Sequence, residues 1–456
     1  MKIEVKNLGV IEEGEVDLGK KINIFCGYNG TGKTYYSYLI YGLLKRREHL
    51  LLSRNDFAIE SSIGDGERNK IDFNILSKYR EMMIREAKNE IDEVFGVGYD
   101  VAREIFSKTE LFFKDSESEL MKQVIDAEIS KGISIIDNEY LLRKKAGEDF
   151  YSLRVEKINI KQRPRDEFYN RIVNSFVYRT LATIPVGDVC FFPVERNSIY
   201  TFSKELSITK QETFDTIQRL FTKERKKISR LGSLLSGYRY TLPVKDGLMV
   251  ADDLANIRKR RSFYYEFATE LEKKLLKGEL DITEEGDIKF LPDEAKTIRL
   301  PIQLTASVVK TLSSLVVYLK HMANKNDLLI IDEPEINLHP LSQIALMRLF
   351  ARLANSGFRF IISTHSDYIM REINNLTMIS QLDAKDRKCL GYADGEYLEQ
   401  EDVAVNNFMK TGNAVNIVRA EIDDSGFSFE QMDEAIMIQN ELAARIYGRL
   451  KKGSDE

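Results

Sequence analysis

The chain has 456 residues, 43% of them hydrophobic and 30% charged, a length that allows up to about three ordinary domains with sizeable cores. Its 67 Lys and Arg against 72 Asp and Glu give a net charge of −5, which excludes a globally basic nucleic-acid coat but leaves local basic patches open. The longest apolar runs, such as Leu328–Ile331, stop far short of the ~18 residues of a membrane span. Met1-Lys2-Ile3-Glu4-Val5 lacks the apolar stretch of a secretion signal. Cys26, Cys190 and Cys389 are too widely spaced for a disulfide framework or zinc knuckle. The expectation is a soluble, cytoplasmic protein with reduced thiols and no membrane partner.

Ile3 and Val5, then Ile11 and Val16, alternate with charges and predict strands within 2–26, the last being the apolar Ile22-Asn23-Ile24-Phe25-Cys26. Gly27 to Thr34 breaks the pattern, and Tyr35–Leu44 reads as a helix. From Ile71 to Phe113 the period is mostly helical, carried by Ile91, Val94 and Phe95, then Val101, Ile105 and Phe106. Gly132–Ile136 and Tyr151–Ile160 predict strands, Asp166–Thr183 a helix and Val189–Phe192 a short strand. Charged helices over Lys210–Leu235 and Ala251–Leu276 are expected to pair as a short hairpin. Glu284-Glu285-Gly286-Asp287 reads as a turn between two short strands. From about 295 to Ser380 helix and strand alternate, as a parallel sheet requires. The tail from Asp383 reads as a small β segment and a final helix, Phe429–Leu450. That helix carries an apolar stripe of Met432, Ala435, Ile436, Ile438, Leu442 and Ile446, suited to packing in its own domain or, alternatively, to docking a partner.

Two motifs carry chemistry. Gly27-Tyr28-Asn29-Gly30-Thr31-Gly32-Lys33-Thr34 satisfies G-x-x-x-x-G-K-[ST] between an apolar strand and a helix. Gly27, Asn29, Gly30 and Gly32 shape a loop whose backbone N–H groups curl around a phosphate, and the helix N-terminus adds positive potential. Lys33 is expected to reach the β- and γ-phosphates, and Thr34 to ligate Mg²⁺. The second motif, Leu328-Leu329-Ile330-Ile331-Asp332-Glu333, is a buried strand ending in two carboxylates, which an α/β sheet delivers to its mouth. Asp332 would hold the Mg²⁺ shell and Glu333 would polarise the attacking water as general base.

Asp332-Glu333-Pro334-Glu335-Ile336-Asn337-Leu338-His339-Pro340, followed by Phe360-Ile361-Ile362-Ser363-Thr364-His365-Ser366, resembles the ABC-type ATPases of the SMC, RecF and OLD class. It is similar in particular to stand-alone prokaryotic members with D-E-P-E-x-x-L-H-P, many of which serve phage-defence systems. The resemblance covers about residues 1–45 and 295–380 and is specific there. It implies an α/β fold: a discontinuous ABC-type P-loop core at 1–45 and 295–380, a mixed or parallel sheet flanked by helices. A mostly helical inserted lobe would span 46–294, and a C-terminal β segment plus helix 381–456. About three hundred residues lie between Lys33 and Asp332, a spacing that suits this plan better than that of compact AAA+ ATPases.

The resemblance also implies roles. His365 takes the switch-histidine position, where the imidazole would contact the γ-phosphate. Asn337 and His339 fall in the segment that lines the interface between nucleotide-bound subunits, though either also suits a cap for the helix beginning near Pro340. In such ATPases a Ser/Gly-rich signature at a helix start completes the site of the neighbouring subunit. The matching stretch here is Leu304–Leu312, where Ser307 would supply the hydroxyl and Lys310 a charge in place of the missing glycines. Phe192-Pro193-Val194-Glu195-Arg196 resembles the strand-plus-arginine segment of the class, so Arg196 would approach phosphate or a partner subunit, unless it is a surface arginine paired with Glu195.

The function expected from all this is an ATP- and Mg²⁺-dependent hydrolase that works as a molecular switch. It would assemble as a homodimer or higher homo-oligomer through nucleotide-bound subunits and control a separate effector, in anti-phage defence. The alternatives are a DNA-binding repair or chromosome-maintenance ATPase and an ATP-stabilised scaffold with little turnover. The basic runs Lys45–Arg47, Lys223–Lys227 and Arg258–Arg261 are solvated helix faces or, on the DNA reading, nucleic-acid contacts. No histidine follows His365 and no D-x-D follows Asp332, so no nuclease site is expected in the tail.

Overall fold

The computed structural model describes residues 1–52, 68–135, 138–157, 167–202, 240–295, 297–423, 426–427 and 437–447. Strands in chain order are β1 (Lys2–Leu8), β2 (Ile11–Asp17), β3 (Ile22–Cys26), β4 (Asn69–Lys70), β5 (Glu110–Phe113), β6 (Ile129–Ile135), β7 (Asn138–Lys144) and β8 (Phe150–Lys157). They continue with β9 (Val189–Phe192), β10 (Gly278–Ile282), β11 (Ile288–Pro292), β12 (Leu300–Pro301), β13 (Leu328–Asp332), β14 (Arg359–Ser363), β15 (Val403–Thr411) and β16 (Ala414–Arg419). Nine of these form one mixed sheet in the order β5-β1-β2-β16-β15-β3-β14-β13-β9. Smaller sheets, β10-β11-β12 and β4-β8-β7-β6, lie outside it.

The apolar runs explain the centre of the large sheet. Every residue of β3 and of β13 is buried, and strands covered on both faces read as continuous hydrophobic sequence rather than as alternation. Alternate side chains of β13 enter different cores: Leu328 and Ile330 one, Leu329 and Ile331 the other. The first core takes Tyr36, Leu39 and Leu43 of helix Lys33–Arg46; the second takes the helices Ser307–His321, Pro340–Asn355 and Asp367–Met378. The expected α/β architecture, a mixed sheet between helical layers, is therefore present. β15, β3, β14, β13 and β9 are parallel neighbours, so their C-terminal ends share one edge. Among the described residues no helix is long and apolar enough to cross a membrane.

Several elements depart from the sequence reading. The helical stretch expected up to Phe113 ends at Phe106, and Glu110–Phe113 is instead the edge strand β5, antiparallel to β1. Thr109 anchors the change of direction by donating from Oγ1 to the Asn7 carbonyl at 2.8 Å. The single helix expected over Ala251–Leu276 is broken into Leu242–Asp252, Leu254–Ile257, Tyr265–Leu271 and a π-turn at Glu272–Leu276. Ser262 causes the largest break: its N–H and Oγ donate to the carbonyls of Lys320 and Leu319, at 2.8 and 2.6 Å. That ties the chain to the end of a neighbouring helix instead of continuing its own. The proposed partner helix Lys210–Leu235 and its basic run Lys223–Lys227 lie outside the described residues, as do 158–160 of the strand expected at Tyr151–Ile160. The strand β7 was not anticipated.

The core sheet also reaches beyond 1–45 and 295–380. It takes β5 and β9 from the stretch assigned to an inserted lobe, and the tail hairpin β15–β16 from the stretch assigned to a separate segment. Of the final helix, residues 437–447 are described; they are helical, and Ile438, Leu442 and Ile446 are exposed. The rest of Phe429–Leu450 lies outside the described residues.

Candidate functional site

The loop after β3 turns through three glycines at positive φ: Gly27 at 139°, Gly30 at 73° and Gly32 at 88°. At Gly27 the constraint is steric as well, since a Cβ would stand 2.7 Å from the Phe408 carbonyl oxygen of β15. Tyr28, Asn29 and Gly30 form the exposed tip, while Thr31 is buried and donates from Oγ1 to the Tyr28 carbonyl at 2.8 Å. Helix Lys33–Arg46 begins at Gly32 with no side-chain cap. Its first N–H groups, which no preceding turn satisfies, have no capping side chain and suit an anion. A Cβ at Gly30 would meet nothing within 4 Å, so the cradle is open where a phosphate must enter.

Lys33 is buried and donates from Nζ to the carbonyls of Gly27 and Tyr28, both at 2.9 Å. Two of its three donors thus hold the loop in its curled form. Desolvation lowers its pKa from the ordinary lysine value, opposed chiefly by the Asp332 carboxylate. Thr34 donates from Oγ1 to Asp332 Oδ2 at 3.0 Å. The other carboxylate oxygen of Asp332 accepts from Ser363 Oγ, at the end of β14. One hydroxyl and one carboxylate are the small protein share that Mg²⁺ takes when phosphate oxygens and water complete its octahedron. Thr34 and Asp332 fit that cation, and the loop fits the polyphosphate.

Glu333 follows at φ 47°, a left-handed conformation uncommon for a glutamate. Its N–H donates to the Ser363 carbonyl at 2.9 Å. The Glu333 carboxylate makes no hydrogen bond among the described residues. Burial first, and the Asp332 charge second, raise its pKa above the usual carboxylate value, against Lys33 and Arg196. A half-buried carboxylate held free of protein donors is able to take a proton from water.

Arg196 does something the sequence did not suggest. It is buried rather than paired with Glu195 at the surface. The guanidinium is 4% exposed and donates to the carbonyls of Pro193, Asp332 and Glu333 at 3.0, 2.6 and 2.7 Å. It is a strut that fixes the backbone of both acids, and desolvation lowers its pKa to about 10. Arg196→Leu would leave carbonyls without donors, at about 1–3 kcal/mol each for a buried group. A loss of roughly 2–4 kcal/mol in urea melts is the expected result, and an unchanged midpoint would contradict the strut.

His365 stands on the same edge, at the end of β14, with an exposed side chain. Partial desolvation, then the Lys33 ammonium, lowers its pKa below the ordinary histidine value. The shift favours the neutral imidazole. Asn337, at φ 60°, donates from Nδ2 to Thr311 Oγ1 at 3.1 Å. His339 caps helix Pro340–Asn355 by accepting the Leu341 N–H on Nδ1 at 3.3 Å. Ser307 is exposed at the first position of helix Ser307–His321, and Lys310 lies one turn further on. Neither is hydrogen-bonded to the protein's own phosphate loop. The residues missed in the sequence are Ser363 and Glu335. Both occur inside the strand-end motifs, but the partner of each lies at the end of a different strand.

A family model described as an AAA ATPase domain matches residues 1–370. No curated protein matches the chain. Similar solved structures include an SMC head bound to the C-winged helix domain of ScpA, at 12% identity over 92% of this chain and 98% of that chain, with a TM-score of 0.36. An SMC head with an extended coiled coil, bound to the C-terminal domain of ScpA from Pyrococcus furiosus, gives 13%, 97%, 98% and 0.36. The SMC head domain from Thermotoga maritima gives 12%, 92%, 98% and 0.33. With the match running over 370 of its 456 residues, from β1 past the strand end that carries His365, the chain belongs to the AAA ATPase domain family.

Proposed function

We propose that the protein is an ABC-type, Mg²⁺-dependent ATP hydrolase that acts as a molecular switch, assembling through nucleotide-bound subunits and controlling a separate effector in prokaryotic anti-phage defence. The observation that carries the reading is the 3.0 Å contact between Thr34 and Asp332. It joins two motifs 298 positions apart at one sheet edge, with Glu333 and His365 beside them. In this reading the loop amides and Lys33 hold the phosphates, Thr34 and Asp332 hold Mg²⁺, and Glu333 takes the proton of the attacking water. Bound Mg²⁺ supplies neutralisation of phosphate charge. His365 would offer an N–H to the terminal phosphate.

Assembly is supported by what the helix start at Ser307 exposes. Ser307 is exposed at a helix start, and Thr311 of the same helix is tied to Asn337. The signature helix and the segment after the two acids therefore present one surface, suited to the phosphate of a neighbouring copy. Light scattering of Glu333→Gln is expected to show a larger species with ATP and Mg²⁺ than without; a protein monomeric at micromolar concentration in both conditions would count against it. Ser307→Arg and Lys33→Ala should each be inactive alone, yet regain part of the turnover when mixed, since one composite site of each heterodimer stays intact. Full turnover by Ser307→Arg alone would place catalysis within a single subunit.

The DNA-maintenance reading rests on the basic runs, and the described ones are largely engaged. Arg47 is buried, bonded to the Gly187 carbonyl, and Arg46 pairs with Glu90 and Glu93 at 2.8 and 2.6 Å. Arg258 pairs with Glu284 and Arg261 with Glu266, at 3.3 and 3.1 Å. DNA-stimulated turnover that weakens steeply with salt would favour that reading over the effector switch.

A further inference from the structure

Glu335 has no role in the chemistry above, yet it is placed where a role is needed. It stands two residues past Glu333, beyond Pro334, and its carboxylate turns back to the end of β14. Oε1 accepts from Thr364 Oγ1 at 2.9 Å and from the His365 backbone N–H at 2.8 Å. Thr364 is fully buried, and its own N–H donates to the carbonyl of Phe25 at 3.1 Å, one residue before the end of β3. Thr364 Oγ1 also accepts the Ser366 N–H at 3.0 Å, and Ser366 caps helix Asp367–Met378. A single carboxylate oxygen thus organises the turn that presents His365.

The second oxygen shows that packing alone does not account for this choice of residue. Glu335 Oε2 is buried without a hydrogen-bond partner among the described residues, an arrangement that costs about 1–3 kcal/mol. A residue with no such oxygen would avoid that cost. What the side chain provides in exchange is one oxygen that accepts two bonds at once, from Thr364 Oγ1 and from the His365 N–H.

We infer that Glu335 is the positioning residue for His365, holding the histidine backbone at a fixed place relative to Glu333 so that the two strand ends act as one unit. This rests on the reading of the edge as an ATPase centre. Rigidity of this kind matters because a reacting group misplaced by about 1 Å forfeits roughly a hundredfold in rate.

The test uses Glu335→Ala and Glu335→Gln in the full chain, with thermal midpoints measured alongside. Glu335→Ala is expected to lower kcat roughly 10- to 100-fold, the usual effect of losing an orienting partner, while KM for ATP stays within about threefold. Glu335→Gln keeps an oxygen that accepts both bonds and should restore most of kcat. Independently of turnover, exchange of the His365 amide in nucleotide-free protein should quicken about tenfold or more in the alanine variant and little in the glutamine variant. Wild-type kcat in Glu335→Ala, a KM rise at constant kcat, equal damage by both substitutions, or unaltered His365 exchange would each overturn the inference. Absence of ATP turnover in the unmutated protein would instead overturn the ATPase reading, and the exchange measurement would still decide what Glu335 holds.

Discussion

Glu333→Gln is expected to bind ATP with little change and to hydrolyse it roughly 10²–10⁴ times more slowly, the span that general base catalysis contributes. The substitution preserves size and the positive-φ backbone, which is fixed by the Ser363 carbonyl and the Arg196 strut rather than by the side chain. Lys33 keeps its bonds to the loop carbonyls and Thr34 its bond to Asp332, so the cradle and the proposed cation site survive. Only the capacity to take a proton disappears. Phosphate release measured beside calorimetric ATP binding separates the two effects, and a variant with wild-type turnover would remove Glu333 from the chemistry. The raised pKa of Glu333 sets a pH dependence too: the carboxylate must be ionised to act, so activity should fall as pH drops through a value above that of an ordinary glutamate.

Lys33→Ala is expected to weaken ATP binding by roughly a hundredfold or more, because truncating one member of a desolvated charge pair costs about 2–5 kcal/mol. The side chain works twice. It holds the Gly27 and Tyr28 carbonyls, and in the proposed function it is the cation that meets the phosphates. Removing it takes away the charge and loosens the loop that arranges the amides. Calorimetry decides the matter, and unchanged affinity would contradict the assignment of the loop.

The parts legible in the sequence are those whose signal is local. The phosphate loop sits between a five-residue apolar strand and a helix, and Asp332 and Glu333 end another such strand; spacing along the chain suffices to recognise them. Sheet membership is different, because a strand is made by its neighbour. Glu110–Phe113 follows amphipathic helices and continues their apolar spacing, and only pairing with β1 makes it a strand. The break at Ser262 depends on carbonyls more than fifty positions away. Arg196 shows the same limit at the site. Adjacency to Glu195 suggests a surface pair, whereas burial forces the guanidinium onto backbone carbonyls 136 and 137 positions downstream. Glu335 is readable as a residue but not as a contact, since its partners belong to the turn after β14.

The position of β15 sets the order in which this molecule can mature during translation. β3, which delivers the phosphate loop, leaves the ribosome well ahead of the strand that lies against it in register, Ile22 to Val403 and Cys26 to Asn407. Until those residues are made, β3 carries an open row of backbone donors and acceptors on that side, and Gly27 lacks the Phe408 backbone that closes around it. Long-range parallel pairing of this kind is slow to form. A growing chain therefore carries its phosphate-loop sequence long before it has a finished cradle.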